Sequence, residues 1–268
     1  MEKRKLGNSG IEVSVVGLGC NNFGRRIHDV AGARAVVDRA IDLGVTLFDT
    51  ADVYGDGASE SFLGEAIGKR RQQVVIATKF GWGNPSGASK RTITRTVEAS
   101  LKRLRTDTID LYQVHYPDTR TPIEETLRAL DELVRDGKVR AIGCSNFSRS
   151  QVSAALDTAA RIGTAAFVTC QDEYSLLVRK IERDLVPLMR ERNMTLLPTR
   201  HWPAGSSAAN ISATNRCRKT RGSPTAATTR RTSSTSGTGT SPTGCGTSQR
   251  GRTAACSTSR SAGCWRGP

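Results

Sequence analysis

The sequence is poor in aromatic residues and has no long apolar run. Phenylalanine, tryptophan and tyrosine make up 5% of its 268 residues, and residues 2–5 are all charged. No stretch approaches the roughly 18 consecutive apolar residues that a membrane-spanning helix requires, and the start lacks the apolar core of a signal peptide. We therefore expect a cytoplasmic protein that does not bind a membrane.

Cysteine is sparse in the first 198 residues and follows no spacing pattern. Cys20, Cys144 and Cys170 each lie in or beside a short apolar run, as is typical of reduced, buried thiols. The other four cysteines follow residue 199 at separations of 28, 11 and 8 positions, without accompanying histidines. Because zinc ligands are more closely spaced, the sequence predicts neither disulfides nor a metal site.

Residues 199–268 contain no aspartate, glutamate, leucine, valine, phenylalanine, tyrosine or methionine. Ten arginines and one lysine give these 70 residues a charge of +11, which leaves +4 of the total +15 for residues 1–198. Such a composition cannot bury a core, so we expect this segment to be disordered. Its charge would suit a nucleic-acid arm. With no periodic basic face and only two aromatic residues, Trp202 and Trp265, nucleic acid is the least favoured partner.

Short apolar runs alternate with segments of helical periodicity over residues 1–198, a pattern typical of parallel β/α units. Residues 3–14, with two glycines at the centre, predict an N-terminal hairpin. The runs that predict strands are residues 15–19, 45–50, 74–79, 109–115, 139–144, 165–171 and 195–198. Seven such strands make up most of an eight-stranded (β/α)8 TIM barrel. We therefore expect residues 1–198 to form an incomplete α/β barrel.

A doubly wound sheet is the alternative fold. Its dinucleotide site would carry G-x-G-x-x-G after the first strand. Here Gly17 and Gly19 are followed by Asn22 where the third glycine would stand. The barrel is therefore preferred.

The clearest predicted helix covers residues 122–136. Thr121 is its expected N-cap, Pro122 its first helical residue, and Glu124 the residue that closes a capping box. Gly137 is expected to end it.

Ionisable and aromatic side chains stand at the ends of three successive predicted strands. Asp49 ends the second strand and is followed by Tyr54, Lys79 ends the third, and His115 ends the fourth. A β/α barrel assembles its active site from the carboxyl ends of its strands, so these four side chains should share one cavity. An ion pair between Asp49 and Lys79 would offset the cost of burying either charge.

A tyrosine beside an ammonium group has a defined chemical use. The ordinary tyrosine pKa is near 10, and we expect Lys79 to lower the pKa of Tyr54 towards the neutral range. Tyr54 could then act as a general acid while His115 hydrogen-bonds a carbonyl oxygen. The reaction that needs both groups is the reduction of an aldehyde or ketone by hydride, with NAD(P)H as its ordinary source.

Five motifs, in chain order within residues 3–198, resemble the aldo-keto reductase family. They are residues 48–55 (FDTADVYG), 77–79 (ATK), 110–115 (DLYQVH), 141–147 (AIGCSNF) and 171–177 (QDEYSLL). The resemblance implies a (β/α)8 barrel, NADPH as hydride donor and a small carbonyl substrate.

The same resemblance implies roles for individual residues. The catalytic tetrad would be Asp49, Tyr54, Lys79 and His115, with Tyr54 as proton donor. The residues that hold the nicotinamide carboxamide would be Ser145, Asn146 and Gln171.

Structural interpretations compete with these roles. Asp49 could cap a turn, Tyr54 could cover a surface, and Lys79 could be a solvated strand end. Their joint placement at neighbouring strand ends favours catalysis. For Ser145 and Asn146 a helix N-cap and a cofactor contact stay open as alternatives.

Two further residues attract attention. Glu60 is expected to cap the helix in which it lies, a structural role. Trp82 lies in a glycine-rich loop, where it would line the substrate pocket or cover the barrel mouth.

The chain departs from the family after Pro198. The family pattern continues with an aromatic residue that stacks on nicotinamide, an eighth strand, and basic residues for the adenosine phosphate. A shift of one base after Pro198 makes each new codon from the last base of one residue's codon and the first two bases of the next. His201 followed by Trp202 must then give Leu, and Trp202 followed by Pro203 must give Ala. The shifted frame is compatible with the string YSPLASGLLSGKY, which resembles that continuation.

We expect residues 199–268 to be out-of-frame translation. The printed chain should then be unstable and bind NADPH poorly, because its sheet cannot close.

The alternative function is a cofactor-binding or regulatory protein that keeps the barrel without turnover. The four tetrad residues indicate a capacity for catalysis and do not distinguish the two functions. The sequence contains no pattern that predicts an oligomeric state.

Overall fold

A computed structural model describes residues 1–83 and 87–199. Their strands are β1 (Lys3–Lys5), β2 (Glu12–Ser14), β3 (Gly17–Gly19), β4 (Leu47–Asp49), β5 (Val75–Phe80), β6 (Ile109–Val114), β7 (Val139–Ser145), β8 (Thr169–Glu173) and β9 (Thr195–Thr199). Their α-helices are α1 (Val30–Asp42), α2 (Ala58–Ile67), α3 (Lys90–Leu104), α4 (Ile123–Arg135), α5 (Arg149–Ile162) and α6 (Leu185–Glu191). The expectations for residues 200–268 lie outside the described residues.

Strands β3 to β9 form one parallel sheet in which the spatial order is the chain order. Each strand joins the next through a crossover, and the sheet curls with helices on its outer face. The predicted incomplete barrel is therefore confirmed for the described part of the chain. Strands β3 and β9 are its two edges.

Strands β3 and β4 begin two residues later than predicted and β8 begins four residues later, and other strand boundaries differ by one or two residues. Strand β3 begins at Gly17 because Val15 and Val16 lie on the surface, 44% and 54% exposed. Strand β8 begins at Thr169, although Phe167 and Val168 before it are buried. A buried link and a strand can have the same apolar composition, so the predicted start of β8 at residue 165 was too early.

The predicted hairpin is confirmed, with β1 and β2 paired antiparallel. It packs its apolar residues Leu6, Ile11 and Val13 into the amino end of the sheet, against inward-facing strand residues such as Leu111 and Leu197. The hairpin also binds both flanks of the open sheet. Ser14 N donates to Thr46 Oγ1 at 2.8 Å, and Gly7 N donates to Thr195 Oγ1 at 2.7 Å.

The larger part of the core lies between the outer face of the sheet and the helices. Leu127 and Leu130 of α4 are fully buried there, as the helical pattern requires. Cys20, Cys144 and Cys170 are free and buried, which confirms the prediction for these thiols. In residues 1–83 and 87–199, no helix is long and apolar enough to cross a membrane.

The start of α4 corrects the predicted capping box. Pro122 is the N-cap, and Thr121 Oγ1 instead donates to Asp118 Oδ2 at 2.7 Å. The Asp118 carboxylate also accepts from Ala88 N at 2.9 Å, which holds it beside Thr121. A charged carboxylate is a strong hydrogen-bond acceptor, so the Thr121 hydroxyl bonds to it and does not cap the helix. Glu124 points outward and binds Arg128 and Arg161. The helix ends as predicted, with Gly137 at φ +73°.

Helices α2 and α3 approach each other closely at a glycine. A Cβ on Gly64 of α2 would lie 2.4 Å from the carbonyl oxygen of Leu104 in α3, so a larger residue would force the helices apart. This contact fixes α3 beside the short turn that links β4 to α2. That turn carries Tyr54.

Candidate active site

The centre of the site is a buried ion pair between two neighbouring strands. Lys79 of β5 is fully buried, and its Nζ lies 2.8 Å from each carboxylate oxygen of Asp49 at the end of β4. The ammonium also donates to the Thr50 carbonyl oxygen at 2.7 Å. Lys79 is therefore not a solvated strand end, and Asp49 is not a turn cap. Burial lowers the pKa of Lys79, but Asp49 and Tyr54 more than offset this, so the net shift is upward and the group stays charged.

Tyr54 lies beside this pair in a short turn, Tyr54–Gly57, that begins five residues after β4 ends. Lys79 Nζ lies 5.2 Å from the centroid of its ring. The structure thus brings the tyrosine next to the ammonium, as predicted.

The predicted direction of the Tyr54 pKa shift is wrong. Burial raises the pKa of Tyr54 above its ordinary value and is the largest influence. Lys79 lowers it, by its charge and by hydrogen bonding, without reversing the net shift. Tyr54 is consequently a neutral phenol at physiological pH, which is the form that can donate a proton.

His115 follows β6 and completes the group of four. Its ring lies edge-on to the ring of Tyr54, with centroids 5.8 Å apart. Burial, and secondarily the charge of Lys79, lowers the pKa of His115 to about 3. The imidazole is therefore neutral. Within the described residues its Nδ1 is buried without a hydrogen-bond partner.

Aromatic side chains form one wall of the site mouth. The ring of Trp82 lies 5.0 Å from that of His115 and 5.4 Å from that of Tyr116. Trp82 is 48% exposed and Tyr116 is 39% exposed. Trp82 therefore lies against His115 with half of its surface exposed, a position that is compatible with both interpretations offered for it.

Ser145, Asn146 and Gln171 lie at the ends of β7 and β8, beside the tetrad. Gln171 Nε2 donates to Asp49 Oδ1 at 3.1 Å, and Asn146 Nδ2 donates to the His115 carbonyl oxygen at 2.9 Å. The N-cap of α5 is Ser148, which forms a capping box with Gln151. The N-cap interpretation of Ser145 and Asn146 is therefore wrong.

These three side chains fit a planar amide such as a nicotinamide carboxamide. The Ser145 hydroxyl can donate to a carbonyl oxygen, and the side-chain oxygen of Gln171 can accept from an amide NH2. Asn146 adopts a left-handed φ of +62°, a conformation that a small polar side chain tolerates. The orphaned Nδ1 of His115 shows that this end of the sheet leaves buried polar capacity unused.

Glu60 does not cap α2, which corrects that expectation. Its side chain is fully buried and accepts from Arg103 Nε at 2.7 Å and from Thr78 Oγ1 at 2.5 Å. Asp52 lies near it, with Oδ1 buried and unpartnered among the described residues. Burial, followed by the charge of Glu60, raises the pKa of Asp52 to about 7. The sequence contained no local pattern that would single out this cluster, because Arg103 is 43 positions from Glu60.

The arrangement can perform acid catalysis on an oxygen atom. A neutral phenol lies between a neutral imidazole, with ring centroids 5.8 Å apart, and a buried ammonium 5.2 Å from its ring centroid. Such a site can bind a carbonyl oxygen, stabilise the negative charge that develops on it and supply a proton.

Comparison with known proteins agrees with this geometry. The family model described as "Aldo/keto reductase family" matches residues 15–229. The match continues beyond residue 198, where the resemblance read from the motifs ends.

Individual relatives align over about three quarters of the chain. "Aldo-keto reductase YhdN" of Bacillus subtilis is 41% identical over 207 residues, which is 74% of this chain and 61% of the relative. A "Probable voltage-gated potassium channel subunit beta" of Arabidopsis thaliana is 37% identical, over 73% of this chain and 62% of the relative. The chain thus spans less than two thirds of the length of these relatives.

A solved structure shows the same fold. The holo form of aldo-keto reductase AKR11C1 from Bacillus halodurans superposes with a TM-score of 0.67 at 35% identity. The superposition covers 74% of this chain and 65% of that one.

Proposed function

Because this chain belongs to the aldo/keto reductase family, we propose that it is an oxidoreductase that reduces aldehydes or ketones to alcohols, with NADPH as cofactor. The observation that carries the proposal is the position of Tyr54 beside Lys79 and His115. Each of these side chains has a distinct task in carbonyl reduction.

The carbonyl oxygen would bind between Tyr54 and His115. The neutral imidazole donates a hydrogen bond and orients the oxygen, and the Tyr54 phenol protonates it as negative charge develops. NADPH, when bound, supplies the hydride. Lys79 stabilises the phenolate that remains, because its ammonium lies over the ring and is itself held by Asp49.

Ser145, Asn146 and Gln171 would hold the carboxamide of the cofactor. Because Gln171 donates to Asp49 and Asn146 donates to the His115 carbonyl oxygen, these two residues would link that amide to the tetrad.

Tyr54→Phe tests the proposal. Loss of the phenol proton should lower the rate of carbonyl reduction, followed by NADPH absorbance, at least about 100-fold. NADPH affinity and thermal stability should stay near those of the parent. Tyr112→Phe is the matched control, since the Tyr112 hydroxyl bonds Thr96 in the core at 3.0 Å. It should keep the rate and lower the free energy of unfolding by about 1 kcal/mol. Full activity in Tyr54→Phe would contradict the assignment.

A cofactor-binding regulatory protein is the second candidate. Similarity to a protein named as a potassium channel subunit favours it. In that case NADPH would raise the melting temperature of the parent, while no aldehyde or ketone would be turned over and Tyr54→Phe would change nothing.

We also propose that residues 199–268 arise from a shift of reading frame near codon 198, with residues 1–198 as the barrel. The nucleotide sequence decides this. Stop codons or a polar, patternless translation in the alternative frame would contradict it. Activity is therefore to be assayed in the printed chain and in a frame-restored form, and the mutational comparisons use the more active of the two.

A further inference from the structure

The turn that carries Tyr54 has an unusual backbone. Gly55, Asp56 and Gly57 follow the tyrosine with φ of +58°, +54° and +88°. Asp56 is not a glycine, and a left-handed conformation costs such a residue roughly 1–2 kcal/mol. A turn of this kind keeps its shape only if its surroundings hold it.

Two neighbouring segments, one containing Phe23 and the other containing Arg103, lie close to this turn. A Cβ on Gly55 would lie 2.9 Å from the Phe23 carbonyl oxygen, and one on Gly57 would lie 3.0 Å from Arg103 Cδ. Both glycines are therefore in close contact with their neighbours. The neighbour of Gly57 is thus Arg103, from α3.

Arg103 is held in place by Glu60. The Arg103 Nε–H donates to Glu60 Oε2 at 2.7 Å, and the Glu60 side chain is fully buried while that of Arg103 is 29% exposed. A buried carboxylate without its partner is strongly destabilising, so the pair stays together in the folded protein. Glu60 lies in the first turn of α2, three residues after Gly57.

The other Glu60 oxygen reaches the strand of the catalytic lysine. Thr78 Oγ1 donates to Glu60 Oε1 at 2.5 Å, and Thr78 directly precedes Lys79 in β5. On the other side of Tyr54, Asp52 N donates to the Lys79 carbonyl oxygen at 3.1 Å. The segment containing Tyr54 is thus fastened to β5 both before and after the tyrosine.

We propose that Glu60 and Arg103 are positioning residues that fix the turn after Tyr54 to the strand that carries Lys79. They touch neither the phenol nor the ammonium. They act by setting the distance between these two groups, which the proposed function requires to be short. The inference rests on that function only for the role of Tyr54 as proton donor.

Arg103→Met and Thr78→Val each remove one of the two hydrogen bonds that Glu60 accepts in this connection. Arg103→Met removes the guanidinium, and Thr78→Val removes one hydroxyl without changing any charge. Arg105→Met is the matched control, since Arg105 pairs with Glu65 between the same helices but at the surface, with side chains 62% and 38% exposed.

The measurement is the titration of Tyr54, followed by NMR of ring-labelled tyrosine and assigned by the resonance lost in Tyr54→Phe. The full chain is used without cofactor or substrate. Burial raises the pKa of Tyr54 and Lys79 lowers it, so a phenol that moves away from the ammonium while its ring stays buried should titrate at a higher pH. We expect this shift in Arg103→Met and Thr78→Val and none in Arg105→Met. In the active form the two variants should lower kcat about tenfold with KM nearly unchanged.

Three outcomes would overturn the proposal. They are a Tyr54 titration at the parental pH in both variants, an equal shift in Arg105→Met, and a shift in Arg103→Met alone, which would reflect lost charge rather than position. If Arg103→Met fails to fold, Thr78→Val decides. The titration needs no turnover, so its result stands even where Tyr54→Phe shows that the proposed reaction is wrong.

Discussion

At the amino end of the sheet, the carboxylate of Asp110 is buried and both of its oxygens are bonded. Oδ1 accepts from Arg140 at 2.6 Å, and Oδ2 accepts from Arg71 and from the backbone of Ile76, both at 2.8 Å. At the carboxyl end, Lys79 is equally buried and just as closely bonded to Asp49. Asp110 binds two arginines and Lys79 binds one carboxylate, so both buried charges are paired, but the surroundings of the two groups differ.

Polar atoms near the second pair lack partners. Within residues 1–83 and 87–199, four buried side-chain atoms have no hydrogen bond, and three of them, Asp52 Oδ1, Gln113 Nε2 and His115 Nδ1, lie on the segments that form the catalytic end. Each such atom costs about 1–3 kcal/mol. The fourth atom, Thr164 Oγ1, lies in the link before β8. The Asp110 carboxylate is thus satisfied and stabilises the fold, whereas the carboxyl end keeps more unused hydrogen-bonding capacity, as expected of a site that binds a ligand.

Asp110→Asn should produce the largest effect, and it falls on stability. The change removes the charge opposite two arginines and turns an NH2 group towards N–H donors, so the free energy of unfolding should drop by about 3–4 kcal/mol. Urea denaturation measures it. Asp107→Asn, at an exposed position nearby, should stay within about 0.5 kcal/mol. A loss below about 1 kcal/mol in Asp110→Asn would remove the distinction between the two ends.

Asp49→Asn should produce the next largest effect, on rate. It weakens the hold on Lys79, which keeps its bond to the Thr50 carbonyl oxygen. Carbonyl reduction should fall about 100-fold, equivalent to about 2.7 kcal/mol in the barrier. The free energy of unfolding should also fall, by up to about 3 kcal/mol, because the fully buried Lys79 ammonium loses its counter-charge. A variant that loses stability as Asp110→Asn does, while reducing carbonyls at the parental rate, would show that Asp49 serves the fold alone.

The architecture and the positions of the four central residues could be predicted because both depend on short-range patterns. Apolar alternation marks each strand, and parallel strands place their carboxyl ends together. Asp49, Lys79 and His115 needed only to be found at those ends. The contacts of Lys79 with Asp49 and Tyr54 follow from that topology.

Other features depend on contacts between distant segments. The pKa of Tyr54 rises because of how deeply the fold buries the ring, which no neighbouring residue in the chain reveals. The role of Glu60 depends on Arg103 from another helix. The Thr121 cap failed because Asp118, three residues earlier, lies closer to its hydroxyl in the folded loop than the helix backbone does. Tertiary burial decided the first case and a tertiary partner the second, whereas in the third a competing acceptor three residues away took the hydroxyl.

Asp52→Asn should stabilise the protein by a smaller amount, and only at higher pH. Burial and Glu60 raise the pKa of Asp52 to about 7, against the opposing charges of Arg103 and Lys79. The folded state therefore holds a proton that the unfolded state releases near its ordinary value of 3.8. The parent loses stability as pH rises through this interval, and Asn does not titrate. The variant should gain about 2 kcal/mol at about pH 8 and nearly nothing at about pH 4.

Denaturation at both pH values, with Asp107→Asn as control, measures the gain. An equal gain at both values would mean that shape, rather than charge, penalises Asp52. A lower free energy of unfolding in Asp52→Asn at about pH 8 would mean that the Asp52 carboxylate forms a hydrogen bond in the dissolved protein. The contrast between the two ends of the sheet would then be weaker.

Lys90→Met should have the smallest effect, because its ion pair lies in water. Lys90 Nζ bonds Glu132 at 2.7 Å between α3 and α4, with side chains 59% and 52% exposed. Solvent screening limits such a pair to about 0.5 kcal/mol, and about 1 M salt should abolish the difference from the parent. Arg91→Met, at an exposed position beside it, controls for lost charge. If Lys90→Met lowered the free energy of unfolding as much as Asp110→Asn does, burial would not explain the large contribution of the buried ion pairs to stability. The comparison between the two ends of the sheet would then lose its physical basis.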